Sequence, residues 1–515
     1  MGPLRVIDKA CAMTTHPKKA LLLALAATTV AAGLTATAAP AVARPATTAA
    51  SKLDWKPCAA PGGPTAQECA VLPVPLDYDD PDGRQLHVAV SRVLSDRPAA
   101  RRGTLVVIPG GPGGSGVQRL AQKGAALQRE LAGAYDLVAF DPRGVGASTT
   151  ASCGLAPEDR YLTTLRSWPG PNGEITENAA RSRRIAEACA RNGGPELRSF
   201  TTANQVRDLD RLREALGERR LSAWGTSYGA YVAAEYAQRY PRRTDRWVLD
   251  STGDPDPQRV ARGWLANMSR GADERFPDFA AWAAHPDRDR DGLRLAARPE
   301  EVEPLVVALA ARLDREPRPT TTPGVPLTGN GLRQVLQNAL YADAAFPAFA
   351  RLAKAAQDPA GTPALPPELA QPFRDEDAAV MVGVICNDVA WPHTSPDGYR
   401  AAVREDRARY PLTAGMPVNL LPCSFWKTAP EEAPTRITDD GPSNVLMLQS
   451  LRDPATPLAG ALKMREALGG RARMVTVAQG GHGLYLGNGN TCGDRAVTDF
   501  LTTGRRPARD THCPN

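Results

Sequence analysis

The stretch LSAWGTSYGAYVAAEYAQRYP, residues 221–241, changes its periodicity in the middle. Leu221 to Gly225 form the short apolar run of a buried strand, whereas Ala230 onward has the spacing of a helix that ends at Pro241. Where the two meet stands Gly225-Thr226-Ser227-Tyr228-Gly229, a Gly-x-Ser-x-Gly. So sharp a turn from strand to helix forces the serine into strained backbone geometry. Glycines two residues to either side remove the Cβ atoms that would strike the flanking elements. The turn also lifts the hydroxyl above the sheet at a helix N-terminus, whose partial positive charge favours an oxyanion. The bare pattern occurs by chance in loops; the strand before it and the helix after it select the reading of Ser227 as a nucleophile.

Working outward, GTLVVIPGG (103–111) and YDLVAFDPRG (135–144) are apolar runs ending in glycine-rich turns, with a helically spaced segment at 117–131 between them. That is a strand, crossover, strand unit. Further strands are expected at RWVLDST (246–252), NVLMLQSLRD (444–453) and RMVTVAQGGHG (473–483), with a helix at 457–469. Helical patterns also cover 177–191 and 204–216, and CAVLPVPLDY (69–78) and QLHVAVSRVL (85–94) alternate like a hairpin. Alternating strands and helices predict an α/β class, a mostly parallel doubly wound sheet. Between Asp254 and about Gly441 the alternation gives way to helical, proline-rich pieces, which predict a cap over the C-terminal edge of the sheet. The expected divisions are 1–43, 44–253 for the first part of the core, 254–440 for a mainly helical cap, and 441–515 for the rest of the core.

A serine hydroxyl needs a base to take its proton and a third group to orient that base. Of the six histidines, only His482 directly follows an expected sheet strand, in Gly-Gly-His-Gly. His16 lies in the leader, His87 before the sheet, His285 and His393 in the cap, and His512 in the tail. Asp453 ends the penultimate strand and is the candidate acid; capping of the following helix is its other reading, and the two roles are compatible. Asp494 and Asp439 compete but fall after the histidine and before the strand. For the oxyanion, the backbone N–H of Tyr228 and that of Gly111, in the loop PGGPGGSG (109–116), are the expected donors. A phosphate loop is excluded by the missing Lys-Ser/Thr ending. In DPRGVGAS (141–148) the glycines and charges are expected to brace the floor of the site.

The 515 residues are 42% hydrophobic and 23% charged, ordinary for a globular protein. Lys18 and Lys19 lead into the apolar run 20–33, and small residues follow to Ala41-Val42-Ala43. This is a signal-peptide pattern, too short to span a bilayer, so export with cleavage after Ala43 is expected and stable membrane insertion is not. Met13 is a second candidate start. Removing residues 1–43 takes four cations and one anion from a net charge of +6, leaving +3. No dense basic patch points to nucleic acid. Of nine cysteines, Cys11 leaves with the leader. The remaining eight allow 105 pairings, but fall into sequential couples: Cys58 with Cys69, Cys153 with Cys189, Cys386 with Cys423, Cys492 with Cys513. Closely spaced Cys or His clusters for a metal do not occur, and no cofactor is expected. Oligomeric state is not set by anything in the sequence.

Together, PGGPGGSG, DPRGVGAS, GTSYGAY, LRDPATP and GGHG resemble the secreted tripeptidyl aminopeptidase group of actinobacterial α/β-hydrolases, relatives of proline iminopeptidase. The resemblance covers nearly the whole mature chain. It implies an α/β-hydrolase fold, a Ser227–Asp453–His482 triad, a C-terminal domain of the family's type, and release of short peptides, tripeptides foremost, from free N-termini. Pro109 stands where the wider iminopeptidase pattern has histidine, which separates this chain from that group's substrate preference. A free ammonium calls for a carboxylate in the pocket. Asp388, Asp254 and Asp256 are the candidates, each also readable as a solvated or capping acid. Fold and triad do not define the leaving group, so an esterase or other small-molecule hydrolase is a competing expectation, and a noncatalytic secreted binding protein a third.

Overall fold

The computed structural model describes residues 53–514 apart from 59–62, 65, 258–259 and 393. The expected signal peptide and its cleavage site lie outside the described residues, as does His393. Ten strands form one sheet: β1 (Lys56–Pro57), β2 (Glu68–Pro75), β3 (Gln85–Val93), β4 (Gly103–Ile108), β5 (Tyr135–Phe140), β6 (Leu221–Thr226), β7 (Thr244–Asp250), β8 (Val445–Ser450), β9 (Ala472–Val477) and β10 (Thr511–Cys513). Their order is β1-β2-β3-β5-β4-β6-β7-β8-β9-β10. The hairpin β2–β3 pairs antiparallel from Glu68 opposite Arg92 to Pro75 opposite Gln85, and β3 meets β5 antiparallel. From β5 onward every pairing is parallel. This is the doubly wound sheet expected, with β1 and the C-terminal β10 as additions too short to show in the sequence pattern.

The helices are α1 (Gly116–Leu131), α2 (Leu162–Leu165), α3 (Thr176–Asn192), α4 (Gly194–Arg198), α5 (Thr202–Ala215), α6 (Tyr228–Arg239), α7 (Val260–Ala284), α8 (Val302–Arg315), α9 (Gly329–Ala339), α10 (Phe346–Gln357), α11 (Pro367–Ala370), α12 (Asp375–Asp388), α13 (Pro396–Arg409), α14 (Leu458–Leu468) and α15 (Thr491–Thr503). Successive strand residues serve opposite faces. Val106, Ile108 and Val138 pack with residues of α5 and α6, such as Leu209 and Val232. Leu105, Val107, Leu137 and Val248 pack on the other face with α1 and α15, against Leu120, Leu127, Val497 and Phe500. Both faces are thus covered, which is why these central strands read as unbroken apolar runs. Several helices start on side-chain caps. Ser115 accepts from Gln118 N, Thr201 from Asn204 N and Asn490 from Gly493 N.

Helices α7 to α10 form a separate apolar cluster in which Phe279 meets Phe276, Phe346 and Phe349 edge to face. Each aromatic pair of this kind adds about 0.5–1.5 kcal/mol beyond simple burial. The span before α3, which the expected divisions leave with the core, also packs here. Leu162 joins the cluster, Trp168 Nε1 donates to Gln334 Oε1 at 2.9 Å, and Ser167 Oγ donates to Leu420 O at 2.6 Å. The sequence pattern assigns no element to this span, and its partners Gln334 and Leu420 lie 166 and 253 residues along the chain.

The four expected disulfides are formed: Cys58–Cys69, Cys153–Cys189, Cys386–Cys423 and Cys492–Cys513. The third ties α12 to the 416–425 segment, and the fourth fastens β10 to α15. Among the described residues no helix is long and apolar enough to cross a membrane.

Candidate active site

Ser227 has φ 60° and ψ −126°, a backbone conformation that L residues rarely adopt. Its N–H donates to Asp250 O at 2.9 Å, which holds the turn onto the end of β7. The flanking glycines are required by close approach. A Cβ on Gly225 would strike Gly229 O, and one on Gly229 would lie 2.5 Å from Pro109 O. Gly110 is also closely approached, since a Cβ there would stand 3.0 Å from both Ser227 Cβ and Thr226 O. The glycine-rich loop after β4 therefore lies against Ser227, and Gly111 and Tyr228 line one pocket with it. Tyr228 is the first residue of α6, so its N–H is among those a helix leaves without an internal partner.

His482 Nδ1 is 2.9 Å from Asp453 Oδ2 and 3.0 Å from Oδ1. The Asp453 side chain is wholly buried and the His482 side chain 8% exposed. The carboxylate also accepts the N–H groups of Ala455 and Thr456, both at 2.8 Å, and the Thr456 hydroxyl at 3.0 Å. These bonds close the loop at 453–456. Helix α14 begins later, with Pro457 in the capping position, so Asp453 caps the loop and not the helix. Burial works to lower the His482 pKa, but the charge of Asp453 and its hydrogen bond outweigh it, and the imidazole is held above its ordinary value. Asp494 is occupied elsewhere, accepting Leu486 N at 2.8 Å.

Sequence reasoning missed the groups that set the histidine loop. Six consecutive N–H donors are anchored: Gly481 to Arg452 O, His482 to Tyr341 O, Gly483 to Ser251 Oγ, Leu484 and Tyr485 to the two carboxylate oxygens of Asp250, and Leu486 to Asp494. The ring of Tyr341 packs edge-on against His482 at 5.0 Å. The single proton of the Thr456 hydroxyl is shared between Asp453 and Ser251 O, which lies 2.9 Å away, and Oγ1 is 3.3 Å from His482 Nδ1. A polar Asp-Ser-Thr at the end of an apolar strand, residues 250–252, was the one local sign available.

The cavity beside Ser227 has a volume of about 230 Å³. Trp264 and Met268 of α7, Met381 and Ile385 of α12, and Met416 and Leu421 supply an apolar wall. Among the described residues that line it, Arg166 is the single charged side chain. The acids expected to receive an ammonium are not there. Asp254 is buried and paired with Lys463 Nζ at 2.6 Å, and it also accepts Asp256 N. Asp388 lines a different, smaller cavity with Glu235, Glu431 and Glu432, and accepts Thr202 N at 2.8 Å and Thr202 Oγ1 at 2.6 Å. Burial raises its pKa to about 7. The physical reason is helical rotation. Cys386 faces the Ser227 pocket, and two residues on, about 200° around α12, Asp388 faces away from it. In DPRGVGAS, Arg143 makes a buried bidentate pair with Asp208 and donates to Pro75 O and Leu76 O, bracing the floor as expected.

Residues 409–513 match the family model of TAP-like proteins. Tripeptidyl aminopeptidase of Streptomyces lividans is 33% identical, over 90% of this chain and 86% of that protein. Serine protease Hip1 of Mycobacterium tuberculosis is 26% identical over 90% and 91%. Carboxylesterase B of the same species is 28% identical over 86% of each. With these relatives, a sheet of this topology and the Gly-x-Ser-x-Gly turn at its centre, the chain belongs to the tripeptidyl aminopeptidase family of α/β-hydrolases and is a serine hydrolase.

Proposed function

We propose that the chain is an exported serine exopeptidase that releases short peptides, tripeptides foremost, from free N-termini through an acyl-enzyme. The observation that carries this reading is the 33% identity to a tripeptidyl aminopeptidase across 90% of the chain. Ser227 Oγ attacks the scissile carbonyl as His482 Nε2 takes its proton, while Asp453 accepts from Nδ1–H and stabilises the imidazolium. The N–H groups of Tyr228 and Gly111 receive the oxyanion, at about 3 kcal/mol for each donor. His482 then protonates the leaving amine, and water attacks the acyl-enzyme along the reverse course. The apolar wall of the pocket suits an acyl portion with apolar side chains. Export is supported by the leader at 1–43 and by four disulfides; N-terminal sequencing of the exported protein should begin after Ala43.

An esterase is the second reading. The apolar wall without a carboxylate favours it, as does the relative named a carboxylesterase. Rates on tripeptide anilides with free and with acetylated N-termini separate the two. Equal rates on both, or hydrolysis confined to esters, would remove the aminopeptidase reading. Labelling by a fluorophosphonate, lost in Ser227→Ala, is expected; a wild type that does not label would instead fit a noncatalytic binding protein.

A further inference from the structure

We infer that Arg166 is a specificity-determining residue that binds a carboxylate of the substrate. Its side chain lines the Ser227 pocket, and it is the single charge among the described lining residues. No described residue accepts a hydrogen bond from its guanidinium, and its Nε is buried without a partner. By contrast, Arg184, on the following helix α3, makes a two-point pair with Asp159. A buried N–H without a partner carries a desolvation cost that a bound acceptor relieves. The planar fork matches a carboxylate with two parallel bonds.

The residue is held in place from both sides. Arg166 N donates to Leu162 O, closing α2, and Ser167 takes a left-handed φ of 54°. Ser167 O accepts from Asn419 Nδ2 at 2.7 Å, and the buried Trp168 is fixed by Gln334. Little conformational freedom of the backbone remains to be lost on binding. The ligand is therefore a largely apolar acyl or peptide segment that also carries a carboxylate, either an acidic side chain or the free C-terminus of a short peptide. A bare ammonium beside Arg166 is disfavoured, so the free N-terminus of the proposed substrates lies elsewhere.

The choice of peptides as probes rests on the exopeptidase reading; the charge preference does not. In one arm, tripeptide anilides carry Glu or its neutral isostere Gln at each position in turn. In a second, neutral tetrapeptides carry a free or an amidated C-terminus. A third pair, the p-nitrophenyl esters of glutaric acid and of its monoamide, reads the same charge without a peptide bond. The wild type should favour the carboxylate member of at least one pair by roughly 10- to 100-fold in kcat/KM, the range of a charge-assisted hydrogen bond. The arm that responds identifies the source. Arg166→Ala should bring that ratio towards one, Arg166→Lys should retain part of it, and Arg166→Glu should shift preference towards Lys-containing peptides. Fluorophosphonate labelling reports whether each variant keeps its site. No carboxylate preference in the wild type in any arm, or a preference that survives Arg166→Ala, overturns the inference. A failure of the exopeptidase reading shows separately, as indifference to N-acetylation.

Discussion

Thr456→Val removes one hydroxyl and leaves the shape of the loop. In the wild type that hydroxyl stands among three groups: Asp453 Oδ2 at 3.0 Å, Ser251 O at 2.9 Å and His482 Nδ1 at 3.3 Å. The backbone N–H of Thr456 still reaches Asp453 Oδ1 after the change, as does that of Ala455. The carboxylate therefore keeps its anchoring but loses the donor that its Oδ2 shares with Ser251 O. A hydrogen bond to a charged group is worth about 1.5–3 kcal/mol, which converts to roughly a 10- to 100-fold loss of kcat/KM if it is felt in the transition state. With fewer donors Asp453 attracts the imidazole proton more strongly, so the His482 pKa rises further and the acid limb of the rate profile moves up. Thr456→Ser, which restores the hydroxyl, should recover most of the rate. The assay is kcat/KM against pH for the three proteins, with active-site labelling to confirm intact sites. A valine variant within about threefold of wild type, with its acid limb unmoved, would refute a positioning role for this hydroxyl.

Three further outcomes are expected. Because Asp453 holds the His482 pKa above its ordinary 6.5, the base is lost as pH falls through that raised value; the acid limb of kcat/KM should lie above pH 6.5, and a limb well below it would contradict the ion pair. Gly229→Ala places a Cβ 2.5 Å from Pro109 O and against Ile108 O, both rigid backbone, so a loss of about 3 kcal/mol in chemical denaturation is expected; a variant as stable as wild type would mean that the turn relaxes freely. Asp388, raised to about 7 by burial, keeps in the folded protein a proton that the unfolded chain releases near 3.8, so its stabilising contribution is present at low pH and is lost as pH rises towards 7. Asp388→Asn should therefore gain stability relative to wild type as pH rises from 4 to 7, by at most about 4 kcal/mol and with no further gain above pH 7, and a constant difference across pH 4–7 would count against the burial.

What was legible in the sequence was what short-range chemistry dictates. Gly225 announces the turn because Gly229, four residues on, leaves no space for a Cβ, whereas the backbone that crowds Gly229 itself, at Ile108 and Pro109, is distant in sequence. His482 and Asp453 could be placed because each follows a strand that the apolar pattern reveals. The cysteine couples could be paired because each closes a short loop, of 11 to 37 residues. What was not legible depends on partners far along the chain. Thr456 meets Ser251 across 205 residues, Leu484 meets Asp250 across 234, and Trp168 meets Gln334 across 166. That the acids expected for an ammonium do not line the Ser227 pocket has the same origin. Asp254 is taken up by Lys463, 209 residues away, and the face of α12 that Asp388 occupies is decided by packing against α5.

The two kinds of information divide along a physical boundary. The groups proposed for bond cleavage stand at the ends of β6, β8 and β9 or on the loops just beyond, with their backbone tied into the sheet by β7 through Asp250 and Ser251. Moving any of them means disturbing a core that is buried on both faces. The walls that meet the substrate come mainly from α2, α7, α12 and the 416–423 segment. Much of that layer rests on its own aromatic cluster around Phe279. Side chains there can change without altering the geometry at Ser227, and the relatives include proteins named for peptides and for esters alike. Selectivity in this chain must then be sought where the apolar wall is interrupted, and among the described lining residues the one charged interruption is Arg166.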